Sequence, residues 1–259
     1  MNITEETNDV LAVKPFDNQL KASPELHPSL PQHPFCTMMV APAGGGKTTT
    51  ILRMIYGNRK PKNHTGKHKH YKFYRHFFDR IYVFSPSWEN DAKCSICKIP
   101  SEQIFEDVDI YDEVLQEILD TQEESIREDG KENTDKVLLV FSDLAGSKFY
   151  TQRKGTLSKI CFNRRHYNVS VILDTQTLRQ ISPGFRNNLS GLMLFSGISN
   201  KLELDKICTE YLGMFDKKDA MRLLKYVFDS GKFAFLFINM QNKQFYRNFN
   251  LLTITETDD

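Results

Sequence analysis

The sequence predicts an α/β fold: a central, mainly parallel β-sheet with helices on both faces. Apolar runs of strand length recur at Phe35–Val40, Ile81–Ser85, Val137–Phe141, Val169–Leu173 and Gly191–Phe195, and near-continuous apolar strands of this kind are those buried on both faces. Segments with helical spacing fall between several of these runs, as crossovers between parallel strands require. Polar residues follow the strands directly at their carboxyl ends, the edge where an open parallel sheet holds its ligand.

Residues 1–33 are polar, carry Pro15, Pro24, Pro28 and Pro31, and show no sustained periodicity. They read as an extended N-terminal arm ahead of one domain over residues 34–259. The first strand, Phe35–Val40, passes through Ala41-Pro42-Ala43-Gly44-Gly45-Gly46-Lys47-Thr48-Thr49 into Ile51, Leu52, Met54 and Ile55, which have helical spacing. A glycine-rich turn between a strand and a helix aims successive backbone N–H groups inward, with a helix N-terminus behind them, and so binds polyphosphate. Residues Ala43 to Thr49 would cradle the phosphates of ATP, with Lys47 on the β- and γ-phosphates and the Thr48 hydroxyl on Mg²⁺. Ala41 stands at the position of the motif's first glycine, while Gly44, Gly45 and Gly46 keep the backbone free around the phosphates.

Residues 58–80 form a basic, aromatic insertion before the second strand. From Arg59 to Arg80 there are eight Lys/Arg and four His against the single acid Asp79, interleaved with Tyr71, Phe73, Tyr74, Phe77 and Phe78. This pattern suits either a nucleic-acid backbone with its bases or a solvated insertion. His64, His68 and His70 with Cys94 and Cys97 have residue types that bind zinc, although one Cys-x-x-Cys without a second pair is a weak signal. The strand Ile81–Ser85 stops at Pro86. Tyr111, Val114, Leu115, Ile118 and Leu119 then mark an amphipathic helix, within a stretch from Glu102 to Glu132 that holds thirteen acids against Arg127 and Lys131.

The strand Val137–Phe141 ends in Ser142-Asp143. Phosphoryl transfer needs a carboxylate beside Mg²⁺ and, for hydrolysis, a group that orients water. Asp143 is the single acid here, with Ser142 where a first acid is expected. Either Asp143 serves the metal and water is oriented elsewhere, or Ser142 touches the metal shell and Asp143 is the base. Lys148–Arg165 carries six Lys/Arg and no acid, and Leu157, Ile160 and Cys161 fit a helix; its basic face is either solvated or lines a nucleic-acid path. Val169–Leu173 leads into Asp174-Thr175-Gln176-Thr177, where the Gln176 amide suits a γ-phosphate sensor. Beyond the strand Gly191–Phe195, helical spacing covers residues 202–212 and 217–228, and residues 233–239 and 245–252 read as a closing pair of strands.

Lys+Arg of 34 against Asp+Glu of 33 leaves a net charge of +1, so overall charge favours neither nucleic acid nor membrane as a partner. Five scattered cysteines fit a reducing compartment rather than a disulfide framework. No apolar run approaches the roughly 20 residues of a spanning helix, so an intracellular protein without membrane contact is expected.

The stretch Asn163-Arg164-Arg165-His166-Tyr167-Asn168-Val169-Ser170-Val171-Ile172, then Thr175-Gln176, then Pro183-Gly184-Phe185-Arg186-Asn187-Asn188, resembles the genome-packaging ATPases of large double-stranded DNA viruses and their smaller relatives, the poxvirus-type branch of the FtsK/HerA superfamily. The likeness runs from about Phe35 to Leu212. It implies a P-loop NTPase of RecA/FtsK-like fold that works as a homo-oligomeric ring on double-stranded DNA, docked at a viral capsid or portal vertex at the site of virus assembly. It also implies Lys47 in the phosphate loop, an acid at Asp143 and a glutamine at Gln176. Ala41 and Ser142 depart from the family pattern. Ring motors commonly complete one subunit's site with a neighbour's arginine; Arg186 is the first candidate, with Arg164 or Arg165 as substitutes. A helicase or transfer motor with the same core, and a nucleotide-gated assembly protein with little hydrolysis, are the rival expectations.

Overall fold

The computed structural model describes residues 26–56, 73–92, 94–152 and 155–254. In chain order the strands are β1 (Cys36–Val40), β2 (Arg80–Phe84), β3 (Ile104–Phe105), β4 (Val137–Phe141), β5 (Val169–Thr175), β6 (Gly191–Phe195), β7 (Phe235–Asn239), β8 (Gln244–Arg247) and β9 (Asn250–Leu251). The helices are α1 (Lys47–Tyr56), α2 (Tyr111–Asp129), α3 (Lys148–Thr151), α4 (Thr156–Asn163), α5 (Pro183–Arg186), α6 (Lys201–Tyr211) and α7 (Lys217–Phe228). All nine strands form one sheet in the order β3-β2-β4-β5-β1-β6-β7-β8-β9. The run from β3 to β6 is parallel, and β7, β8 and β9 close it with antiparallel pairings. This is the predicted mainly parallel sheet.

Each central strand sends alternate side chains to opposite faces, and both faces are buried. Met38 and Val40 of β1 join Val137, Leu139 and Phe141 of β4 in one apolar cluster, which is covered by Tyr111, Leu115 and Leu119 of α2, Ile160 of α4, Ile207 of α6 and Leu224 of α7. Met39 with Leu138 and Val140 faces the other way, onto Ile51, Met54 and Ile55 of α1. The sheet therefore divides two cores, as an α/β fold with helices on both faces must. Gly191 shows how closely the parts fit: a Cβ there would lie 3.0 Å from the Phe237 ring, 3.1 Å from Thr37 Oγ1 and 3.2 Å from Pro31.

Several boundaries differ from the sequence reading. The packed body begins at least at Leu26, because Leu26 and Leu30 are buried in the α1-side core, so residues 26–33 are not part of a free arm. In the insertion, residues 57–72 lie outside the described residues; beyond them Tyr74 and Phe78 are core residues, and Phe73 and Phe77 pack against the same cluster. Tyr74 donates its hydroxyl to the Pro31 carbonyl at 2.6 Å. Tyr74 and Phe78 therefore serve packing, with Phe73 and Phe77 half-buried against them. The basic stretch before β5 is two helices, α3 and α4, rather than one. The last predicted strand, 245–252, is β8 and β9 folded back on each other, with Asn248 at φ +57° in the turn.

Candidate active site

β1, β4 and β5 end side by side in the order β4-β5-β1, and the residues after them line one cleft. Its walls include Ala43, Gly44, Lys47, Thr48, Ser142, Asp143, Asp174 and Gln176, around a volume of about 170 Å³. The structure thus brings together the predicted loop, acid and amide, with Lys47 and Asp143 96 positions apart and Asp143 and Gln176 33 apart in the sequence. Gly44 and Gly46 adopt φ of +70° and +99°, the left-handed region that glycine enters without a steric cost. The departure at Ala41 is accommodated nearby: a Cβ on Gly45 would lie 2.7 Å from the Ala41 Cβ, so the methyl occupies space that Gly45 leaves open. Lys47 opens α1, and its ammonium donates to the Ala41 carbonyl at 2.9 Å. Ala43, Gly44 and Thr49 are exposed on the loop and first helical turn, where a phosphate chain would meet them.

Asp143 sits just past β4 with φ +61°, a strained conformation for a residue with a Cβ. Two contacts hold it there. Ser87, after β2, donates its hydroxyl to Asp143 Oδ2 at 2.7 Å, and the Asp143 N–H donates to Asp174 Oδ1 at 3.3 Å. The exposed Asp143 carboxylate faces the cleft, while Ser142 is buried and donates its hydroxyl to Asp174 Oδ2 at 2.6 Å. Asp174 is 3 % exposed. Burial raises its carboxyl above the ordinary range, against the Ser142 hydrogen bond and the Lys47 charge, which favour the anion. Tyr150 closes the underside by donating to the Asp174 carbonyl at 2.9 Å. Neither Ser87 nor Asp174 is marked by a motif in the sequence; the pairing of β2 and β5 with β4 brings them to Asp143.

Thr48, Ser142, Asp143 and Asp174 present hydroxyl and carboxylate oxygens to one cleft, the donor set that suits Mg²⁺. Zinc fares differently. His64, His68 and His70 lie outside the described residues, while Cys94 and Cys97 are buried. Burial pushes the Cys97 thiol up to about 11. Among the described residues no three His, Cys, Asp or Glu side chains gather as a metal cluster.

Gln176 is exposed at the cleft mouth and also borders a second hollow with Thr177, Arg179, Asn200 and Glu203. Arg186 is not brought to the cleft. It is 4 % exposed and contacts Glu210 Oε2 at 3.0 Å, close to the start of β6, at the edge of the sheet opposite the phosphate loop. Arg164 is buried there too and donates to the Cys161 carbonyl at 2.6 Å and Ser190 Oγ at 3.2 Å. Arg165 is exposed. Arg179, not singled out from the sequence, stands exposed on the phosphate-loop edge, 3.8 Å from Glu203.

Comparison with known proteins agrees with this fold. The crystal structure of B204, the DNA-packaging ATPase from Sulfolobus Turreted Icosahedral Virus, superposes with a TM-score of 0.55 at 12 % identity, over 83 % of this chain and 98 % of that one. The genome packaging NTPase B204 from Sulfolobus turreted icosahedral virus 2, solved with ATP-gammaS, gives 0.52 at 13 % identity, over 82 % and 96 % of the two chains. These likenesses establish the shared P-loop ATPase fold. No curated protein matches the chain. No helix among the described residues is long and apolar enough to cross a membrane. The Poxvirus A32 protein family matches residues 26–232. That span takes in every residue of the cleft, and the resemblance read from Asn163–Asn188 falls inside it: the chain belongs to the Poxvirus A32 protein family.

Proposed function

We propose that this protein hydrolyses ATP with Mg²⁺ to move double-stranded viral DNA into a preformed capsid. The observation that carries the reading is the convergence of Lys47, Thr48, Asp143 and Gln176 on one cleft at the carboxyl edge of the sheet. In this reading the loop amides from Ala43 to Thr49 and the Lys47 ammonium hold the triphosphate, and Thr48 faces the metal. Bound Mg²⁺ would neutralise charge on the β- and γ-phosphates. Asp143, fixed by Ser87, accepts a proton from the attacking water, and Gln176 hydrogen-bonds the γ-phosphate. Structures of the similar B204 protein with ATP-gammaS and AMPPCP support nucleotide as the ligand, and family membership supports genome packaging as the task.

A homo-oligomeric ring at the capsid or portal vertex would let a neighbour's arginine complete each site. Arg186 is the sequence candidate, and Arg179 is the arginine exposed at the cleft edge. The test is phosphate release with Mg·ATP, with and without long duplex DNA, for the wild type, Lys47→Ala and Asp143→Ala. Stimulation by DNA that both substitutions abolish supports the motor. Separation of forked strands would favour a helicase. Nucleotide binding and assembly without phosphate release, the outcome suggested by Ser142, would favour a nucleotide-gated scaffold.

A further inference from the structure

The acid that Ser142 fails to supply is present on the neighbouring strand. β5 lies between β4 and β1, with Phe141 paired to Leu173 and Met39 paired to Asp174. Residues paired in this way send their side chains to the same face, and Met39 faces α1. Asp174 therefore emerges on the face where α1 begins with Lys47 and Thr48, one strand nearer the phosphate loop than Ser142. Both of its oxygens are directed at the end of β4: Oδ2 takes the Ser142 hydroxyl at 2.6 Å and Oδ1 takes the Asp143 N–H at 3.3 Å. Among the described residues no Lys, Arg or His comes within ion-pair distance of it, although it lines the same cleft as Thr48.

A buried carboxylate without a paired cation is costly unless something compensates its charge. Two hydrogen bonds and the Lys47 charge do part of this. A hard divalent cation held at Thr48 would do the rest, because such ions take carboxylate and hydroxyl oxygens, directly or through their waters.

Building on the ATPase reading above, we propose that Asp174 is the metal-side carboxylate of this site, oriented by Ser142, and that Asp143 is thereby left free to act on water. The usual pair of adjacent acids is thus divided between two strands. Ser142 is then a positioning residue, and the two assignments that β4 alone leaves open resolve to one: Asp143 as base, with metal charge balanced from β5.

The test uses the full chain and the variants Asp174→Asn, Ser142→Ala and the exchange Ser142→Asp/Asp174→Ala, which returns the acid to β4. Mn²⁺ is the probe, read by electron paramagnetic resonance in the presence of AMPPCP. Affinity for a fluorescent ATP analogue in EDTA and thermal unfolding serve as metal-independent measurements. Asp174→Asn should weaken Mn²⁺ binding by about 10- to 100-fold while metal-free nucleotide affinity stays within about twofold. Ser142→Ala should weaken it by less, and the exchange should recover most of the loss. Wild-type Mn²⁺ affinity in Asp174→Asn overturns the proposal. If that variant does not fold, an exchange variant that folds but fails to bind Mn²⁺ overturns it instead. A wild type that binds no nucleotide, with or without metal, sinks the ATPase reading itself and is recognised separately by the measurement in EDTA.

Discussion

His33 should make the stability of this protein fall steeply under mild acid. The ring is wedged between the strands' amino ends and two aromatic side chains, with Phe77 at 6.0 Å and Phe78 at 5.6 Å between ring centres. Its tautomer follows from its partners. The Asn168 amide nitrogen donates to the Thr134 and Asp135 carbonyls, so Oδ1 is the atom turned to His33 and accepts from Nε2–H at 3.0 Å. Ser170 Oγ accepts the Phe35 N–H, so its hydrogen is free to donate to Nδ1 at 2.7 Å. A second proton would land on the nitrogen that is already accepting a hydrogen bond. Burial is the largest cause that lowers the pKa, from 6.5 to about 4; the Lys136 and Lys131 charges add to it, and the Asn168 hydrogen bond and Asp79 oppose it.

The unfolded chain therefore binds a proton that the native chain refuses between pH 6.5 and about 4. Stability is fully present above that window and is lost as pH falls through it. Integrating the linkage between pH 7 and pH 5 gives a loss of about 2 kcal/mol from this one group. Urea unfolding of the wild type and His33→Gln at both pH values measures it. His27, also lowered by burial, and the carboxylates contribute to both proteins and cancel in the comparison. The wild type should lose about 2 kcal/mol more than the variant. Equal losses would refute a buried neutral His33.

Three further outcomes are expected. Gly191→Ala should cost about 1 to 3 kcal/mol by urea unfolding, because its Cβ meets Phe237, Thr37 and Pro31 at 3.0 to 3.2 Å; an unchanged midpoint would mean that the sheet gives way there. Asp143→Ala and Asp143→Gly should both abolish phosphate release, yet the glycine variant should be the more stable by about 1 kcal/mol, since φ is +61°. Arg186→Met should lower the unfolding midpoint while nucleotide affinity is unchanged, because the guanidinium is buried against Glu210; a loss of hydrolysis without a loss of stability would restore it as a group acting on a neighbour.

The sequence displays what depends on neighbours along the chain. β1, β4 and β6 are legible because strands buried on both faces must be apolar at nearly every position, and all five residues of each are buried. The phosphate loop is legible because one turn needs its glycines, lysine and threonine in order. β3 has two residues, too few for any periodicity, and β9 does not separate from β8 in the sequence because the apolar pattern continues through the turn at Asn248. Arg186 illustrates a subtler limit: an arginine beside a motif has the same spelling whether it reaches a neighbour or is buried against a glutamate one helix away.

The pair Ser142 and Asp174 marks the same limit at the functional centre. Read along β4, the chain shows one acid, Asp143; read across the sheet, a second carboxylate, Asp174, stands on the strand between β4 and β1. That order is what the proposed division of the two acids rests on. A side chain at the end of β4 must reach past β5 to approach the phosphate loop, whereas one at the end of β5 adjoins it directly, as the bond from the Ala41 N–H to the Thr175 carbonyl at 3.2 Å makes plain. A serine on β4 is therefore compatible with a charged site, provided the neighbouring strand supplies the carboxylate. A hydroxyl, unlike a second carboxylate, can donate to Asp174 without repulsion. The identity of residue 142 cannot be judged apart from residue 174, and the exchange of the two is the perturbation that separates a weakened motor from one whose acids are differently distributed.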